Sequence, residues 1–235
     1  MLIVGSSGEV GTQLVERLSD RYAFTLADRV APASGAPTLP LDVADLDAYT
    51  AACAGIETVV HLAADRRPEA SWAELLPANV IGAYHAFEAA RRAGCARVVF
   101  ASSVHTGSGY PDDVVLRTDM PTRPGNLYGA TKVWGEAVAR VYADQHGLSC
   151  LCVRLGWVGR RDDHGKLAMP DGATAYLTYE DLARAFTACL DAPDDLRFGV
   201  FYAASATTTR VDLTDARDAL GYEPRDDAFR LQHGG

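Results

Sequence analysis

The sequence predicts an α/β fold in which one doubly wound parallel sheet is covered by helices on both faces. Three observations carry that expectation. Short runs such as "MLIVG", "TVVHLAA", "ARVVFASS" and "LSCLCVRLG" are apolar throughout, as strands buried on both faces are. Longer segments with helical periodicity lie between them. The first strand also runs directly into a glycine turn, "GSSGEVG", that opens a helix.

Taken in order, "MLIVG" is a strand and "EVGTQLVERLSD" a helix; "YAFTLAD" is a strand and "DLDAYTAACAG" a helix closed by Gly55. "TVVHLAA" follows as a strand, and "SWAELLPANVIGAYHAFEAARRAG" as a long helix capped by Ser71 and closed by Gly94. Pro77 predicts a kink or break near its start. "ARVVFASS" is a strand, "LYGATKVWGEAVARVYADQHG" a helix, and "LSCLCVRLG" the next strand. Beyond Gly156, "WVGRRDDHGKLAMPDGATA" is polar and glycine-bearing and reads as loop. "TYEDLARAFTACLDAP" is a helix capped by Thr178, "FGVFYAAS" a strand, and "DLTDARDALGYEP" a last helix stopped by Gly221 and Pro224.

Composition excludes several classes of function. A formal charge of −9 argues against nucleic acid, because phosphate binding needs clustered Lys and Arg. The doubled aspartates, such as Asp112-Asp113 and Asp194-Asp195, read as solvated loops. No apolar run has the length a bilayer requires, and the sequence before "LIVG" has no basic, apolar and small-residue leader, so the expected location is the cytoplasm. The five cysteines show no CxxC spacing; Cys150 and Cys152 alternate along a strand and read as buried thiols. No His, Cys or Asp cluster has zinc-like spacing, so no metal is expected.

Two patterns point to chemistry. Gly5, Gly8 and Gly11, with Glu9 and Val10 between them, lie between a strand and a helix, where backbone N–H groups and the helix dipole bind anions. In "NLYGATK", Tyr128 and Lys132 stand four residues apart and share a helix face. That pair is ordinary surface unless a cofactor, a hydrogen-bonding partner and a pocket accompany it.

The G-x-x-G-x-x-G turn after a first strand resembles the short-chain dehydrogenase/reductase superfamily, in particular its extended NAD-dependent epimerase/dehydratase branch of sugar-active enzymes. The resemblance implies a Rossmann sheet, and NAD as cofactor. Asp28 ends the second strand where an acidic residue binds the adenosine ribose hydroxyls and repels the extra phosphate of NADP; Arg29 beside it works slightly the other way. By the same resemblance Asp42 and Val43 in "LDVAD" contact adenine, Leu62, Ala63 and Ala64 in "HLAA" line the pyrophosphate and ribose, and Asn79 matches an asparagine of the corresponding helix. His61 is open between a packed strand-end histidine and a direct role. The signature Tyr-x-x-x-Lys falls on Tyr128 and Lys132, and its serine on Ser103, with Ser102 a strand-end neighbour. A lysine and an oxidised nicotinamide near Tyr128 are expected to lower its pKa, so that it takes a proton while Ser103 hydrogen-bonds the substrate oxygen.

"FASSVHTGSGYP", "PTRPGNLYGATKVWGE", "LTYEDLARAF" and "ALGYEP" look most like the uronate dehydrogenases of this superfamily, which oxidise the C1 hydroxyl of a cyclic uronic acid with NAD. This implies a similar oxidation of a small free sugar or sugar acid, on His105, Trp157, Arg160 and Arg161 beside Ser103 and Tyr128, with Lys166 a further cation. The chain departs from that pattern at Val104, in place of an asparagine, in "DRRPEAS", where the relatives carry a serine, and at Trp157, in place of a serine. A nucleotide-sugar epimerase or dehydratase with a reduced substrate lobe is the second expectation, and a non-catalytic NAD-sensing protein the third. Residues 1–154 are expected to bind NAD and residues 155–235 to form a small substrate-binding portion. The pocket should lie between the sheet and residues 155–180. The long helices carrying Asn79 and Tyr128 are expected to build a homodimer or higher homo-oligomer.

Overall fold

The computed structural model describes residues 1–161, 167–168, 174–206 and 208–227, without the side chains of residues 160, 161, 167 and 168. The elements follow in the order β1 (Leu2–Val4), α1 (Glu9–Leu18), β2 (Thr25–Asp28), β3 (Leu39–Pro40), α2 (Leu46–Ala52), β4 (Thr58–His61) and α3 (Trp72–Leu75). A π-helical turn (Leu76–Ile81), α4 (Gly82–Ala93), β5 (Arg97–Ser103), a 3₁₀ turn (Val104–Gly107), α5 (Leu127–His146) and β6 (Ser149–Leu155) come next. The chain goes on through β7 (Trp157–Val158), β8 (Arg160–Arg161), β9 (Leu167–Ala168), β10 (Tyr176–Leu177), α6 (Tyr179–Leu190), β11 (Phe198–Ala203) and α7 (Thr214–Leu220).

Seven strands form one sheet in the order β11-β6-β5-β4-β1-β2-β3, and every pairing in it is parallel. From β1 the chain winds outward through β2 and β3, then returns to lay β4, β5, β6 and β11 on the other side. The reversal leaves a crevice at the C-terminal ends of β1 and β4, where open α/β sheets bind their ligands.

Successive strand residues point to opposite faces, and the two cores follow from this. Ile3, Val60, Val99 and Leu151 face one way and pack with Leu14 of α1 and Phe186 of α6. Leu2, Val4, Val59, Val98, Cys150 and Cys152 face the other way, against Phe87 of α4 and Ala139 and Tyr142 of α5. The two alternating cysteines are buried free thiols, as their spacing predicts.

Three elements differ from the sequence expectation. The single long helix from Ser71 is α3, a π-helical turn and α4: Pro77 stands at the start of the wide turn, and the Gly82 N–H reaches back to the Pro77 carbonyl. The polar stretch after Gly156 holds short strands, β7 paired parallel to β10 and β8 paired antiparallel to β9; two-residue pairings leave no hydrophobic period to read. β3 is also only two residues long, and its proline is tolerated because it lies on the sheet edge. The part after residue 155 supplies the opposite edge strand, β11, in register with β6 from Phe198↔Cys150 to Ala203↔Leu155. No helix among the described residues is long and apolar enough to cross a membrane.

Candidate active site

The crevice holds a cavity of about 940 Å³. Asp28, Arg29, Asp42 and Val43 line one end, and Ser103, His105, Tyr128, Lys132 and Trp157 the other. Gly5, Gly8, Glu9, Val10, Gly11 and Leu62 to Ala64 lie along it.

The glycine turn is held tight by backbone contacts. Gly5 has φ +88°, and a Cβ there would stand 2.6 Å from the Ala63 nitrogen; a Cβ on Gly11 would stand 2.5 Å from the Gly5 carbonyl oxygen. Gly8, the N-cap of α1, has only the Gly5 oxygen near its Cβ direction, at 3.4 Å. Packing inside the protein therefore does not require a glycine at this position, but close approach of a ligand to the first turn of α1 does. The N–H groups there have no helical partner, which fits the pyrophosphate of a dinucleotide. At the adenosine end the Asp28 carboxylate accepts from Ser7 N (2.9 Å) and Val30 N (3.2 Å), which fixes it against the turn.

At the other end β5 and α5 bring the three signature residues together. The Ser103 hydroxyl lies near the Tyr128 phenol and favours its ionisation, while its Oγ accepts from His105 N at 3.2 Å. Ser102, one residue earlier, points to the opposite side and donates to Glu136 Oε1 at 2.6 Å. Lys132 Nζ is buried, donates to the Ala101 carbonyl (2.8 Å) and lies 5.7 Å from the centre of the Tyr128 ring. Burial pushes its pKa down to about 8, against the attraction of the Glu136 carboxylate one helical turn on. In the protein alone, burial raises the Tyr128 pKa, and the nearby Ser103 hydroxyl and Arg66 charge only partly oppose that. Desolvation of the phenolate outweighs the neighbouring groups.

His105 is held in a defined state. Asn126, the N-cap of α5, accepts from Gly129 N with Oδ1 (2.8 Å), so its Nδ2 faces His105 Nδ1 at 2.9 Å and donates to it. The ring hydrogen is thereby left on Nε2. Burial lowers the pKa of His105, so the ring is a neutral donor. It stands edge-on to both Tyr128 and Trp157, with ring centres 5.4 Å apart in each case.

Asn79 does not line the cavity. Its Oδ1 accepts from Asp65 N (2.8 Å), and its Nδ2 donates to the Asp65 carbonyl (2.8 Å) and Thr131 Oγ1 (3.2 Å). The side chain, carried inward by the π-helical turn, ties the loop after β4 to α5. His61 takes the packed alternative: it is buried, hydrogen-bonded to Tyr49 Oη at 3.0 Å and stacked on Phe100. Arg160 and Arg161 lie in β8, but their side chains, like all of Lys166, fall outside the described residues.

Sequence reasoning missed Asn126, Arg66 and the buried Glu136–Arg154 pair. Arg154 donates to Glu136 Oε1 and Oε2 at 2.8 Å each and to Tyr202 Oη at 3.1 Å. The available signal was an arginine in the otherwise apolar "LSCLCVRLG" and a glutamate four residues after Lys132.

The buried His61 has a consequence for stability. Burial first, then the Lys132 charge, lowers its pKa from 6.5 to about 3. Between those values the unfolded chain binds a proton that the folded one does not, so stability falls as the pH drops from 6.5 toward 3. Thermal unfolding followed across this range should show a falling midpoint, with a shallower slope in His61→Gln. Equal slopes would show that His61 is not the group responsible.

Comparison with known proteins agrees with this geometry. A model of the NAD dependent epimerase/dehydratase family matches residues 1–177. L-Arabinose 1-dehydrogenase (NAD(P)(+)) of Haloferax volcanii is 32% identical, over 96% of this chain and 96% of that protein. The NAD-dependent glucose-6-phosphate dehydrogenase of the same organism is also 32% identical, over 100% of this chain and 96% of the relative. Among solved structures, a uronate dehydrogenase from Agrobacterium tumefaciens, a tyrosine-to-alanine mutant complexed with NAD, superposes with a TM-score of 0.84 at 31% identity, covering 98% of this chain and 86% of that one. The chain belongs to the NAD dependent epimerase/dehydratase family.

Proposed function

We propose that the protein is an NAD-dependent dehydrogenase that oxidises a hydroxyl, at C1, of a small free sugar or sugar acid. The observation that carries this is the Ser103–Tyr128–Lys132 cluster at the end of the cavity away from the Asp28 carboxylate. Bound in the crevice, NAD supplies the acceptor for the hydride that leaves the carbon. Tyr128 takes the hydroxyl proton, Ser103 hydrogen-bonds the same oxygen, and the Lys132 ammonium favours the phenolate. His105 Nε2–H donates to a second sugar oxygen, while Trp157 offers its exposed ring to a sugar face.

The residues from 155 onward serve the substrate in this scheme, since Leu155, Gly156, Trp157 and Val158 all line the cavity. Trp72, Tyr84, Trp134 and Val141, exposed on α3, α4 and α5, support assembly into a homo-oligomer. Five free thiols suit the reducing cytoplasm.

The assay is reduction of NAD, and in parallel NADP, by glucuronate, galacturonate, neutral aldoses and simple secondary alcohols. Sugar-dependent NADH formation is expected; reduction by secondary alcohols alone would overturn the assignment. Asp28→Ala should narrow the preference for NAD over NADP by about tenfold or more, because an unscreened carboxylate no longer faces the 2′-phosphate. An unchanged ratio of kcat/KM values would remove Asp28 from cofactor selection.

A further inference from the structure

We propose that Arg66 is the anion-binding residue of the substrate site, so that the sugar oxidised carries a carboxylate or a phosphate. This rests on the dehydrogenase assignment above and narrows its substrate class. Four side-chain cations, Arg29, Arg66, Arg67 and Lys132, line the cavity among the described residues. Arg29 adjoins Asp28 at the adenosine end. Lys132 is buried on the Ala101 carbonyl. Arg67 is forked onto Asp65, and its Nη2 also donates to Glu74 Oε1 at 2.8 Å.

Arg66 is placed differently. Its side chain is 67% exposed, and Nη1 donates to Glu9 Oε2 at 2.8 Å. Its position is fixed from behind, because Asn79 holds both backbone groups of the preceding residue, Asp65. It lines the same cavity as Tyr128, and its charge favours the Tyr128 phenolate while that of the neighbouring Asp65 opposes it. Glu9, whose Oε1 accepts from Tyr179 Oη at 3.0 Å, holds the guanidinium at the cavity rim.

The facing wall holds no charge. Val104 is buried, Trp157 presents its ring, and His105 is neutral. An anionic group on a sugar seated against that wall, with its reacting hydroxyl on Tyr128, has one described guanidinium within the same end of the cavity to pair with. The planar fork of an arginine suits a carboxylate or a phosphate equally, through paired N–H donors. The same chemistry would serve the pyrophosphate of NAD, and the experiment separates the two.

The test is initial-rate kinetics of the full chain with NAD, on glucuronate, galacturonate, glucose 6-phosphate and neutral glucose, galactose and arabinose. Native protein, Arg66→Gln, Arg66→Lys and the double variant Arg160→Gln/Arg161→Gln are compared. The native enzyme should favour an anionic sugar. Arg66→Gln should raise KM for it by about 10- to 100-fold, as expected for loss of a charge-assisted pair, with KM for NAD and for neutral aldoses little changed; any change in kcat from loss of its charge near Tyr128 should be shared by neutral and anionic sugars. Arg66→Lys should recover part of the loss, and the carboxylate and phosphate arms identify the anion.

A native enzyme active on neutral aldoses alone would overturn the proposal and leave the dehydrogenase assignment standing. An Arg66→Gln rise in KM that falls equally on neutral and anionic sugars, or on NAD, would overturn it by giving Arg66 to structure or cofactor. So would a selective rise in KM confined to the Arg160/Arg161 variant. No sugar-dependent NADH formation at all would overturn the dehydrogenase assignment and this proposal with it.

Discussion

Tyr128→Phe should lose about 10²- to 10⁴-fold in kcat, the range a positioned acid–base group contributes. The affinity for NAD should stay close to native, because the phenyl ring remains to fill the space. The expectation follows from geometry: the Tyr128 hydroxyl meets Ser103 at the end of the cavity, with buried Lys132 beneath. The charge balance adds a pH signature. In the protein alone, burial keeps Tyr128 protonated and lowers Lys132 to about 8. Oxidation should therefore rise with pH through the ionisation of Tyr128. A positively charged oxidised nicotinamide, when bound, favours the phenolate and moves that limb downward. Steady-state rates as a function of pH, with NAD binding measured separately, check both parts. A Tyr128→Phe variant that keeps most of its rate would take the proton transfer away from this residue.

The second large effect concerns stability. Glu136 and Arg154 form a bidentate pair with side chains 8% and 5% exposed, and Ser102 adds a third bond to the carboxylate. Arg154→Met leaves a buried carboxylate without its counter-charge. Removing one partner of such a pair costs about 3–5 kcal/mol, which for a chain of this size lowers Tm by roughly 6–20 °C. The double variant Glu136→Leu/Arg154→Met should recover much of the loss, since replacing both charges removes their desolvation cost as well. Chemical and thermal denaturation of the three proteins measure this. A single variant within about 1 kcal/mol of native would show that water reaches the pair. The pair braces β6 against α5, and the Ser102 bond to the same carboxylate carries the brace to β5, so the single variant should lower kcat through misplacement of Ser103 even where the protein is still folded.

Most of the fold was legible because the strands are apolar throughout and the helices carry their own stops. Gly94, Gly147 and Gly221 each close a helix in the left-handed conformation, and Thr178 caps α6 by accepting from Asp181 N. The two-residue strands were not legible, because pairing so short is set by neighbours and not by period. Nor could sequence spacing decide how Pro77 would be accommodated; the π-helical turn depends on tertiary bonds from Asn79 to Asp65 and Thr131.

The candidate site divides in the same way. Gly5, Gly8, Gly11, Asp28, Ser103, Tyr128 and Lys132 announce themselves by motif, and the fold brings them to one crevice. The alternation of β5 turns the Ser103 side chain toward Tyr128 and the Ser102 hydroxyl to Glu136. Burial is a property of the folded surroundings, so the raised pKa of Tyr128 and the packed role of His61 were beyond reach of spacing alone. The same holds for Asn126, whose control of the His105 tautomer needs two hydrogen bonds that only the folded chain reveals.

The central claim is that hydride leaves the sugar C1 while Tyr128 removes the proton from its oxygen. An aldose or uronate deuterated at C1, incubated with the protein and NAD, tests it most directly by mass analysis of the cofactor. Deuterium recovered in NADH, formed about 10²- to 10⁴-fold more slowly by Tyr128→Phe, is the expected result. A sugar that changes configuration with the cofactor left oxidised at the end of turnover, or NADH formed without the label, would contradict it.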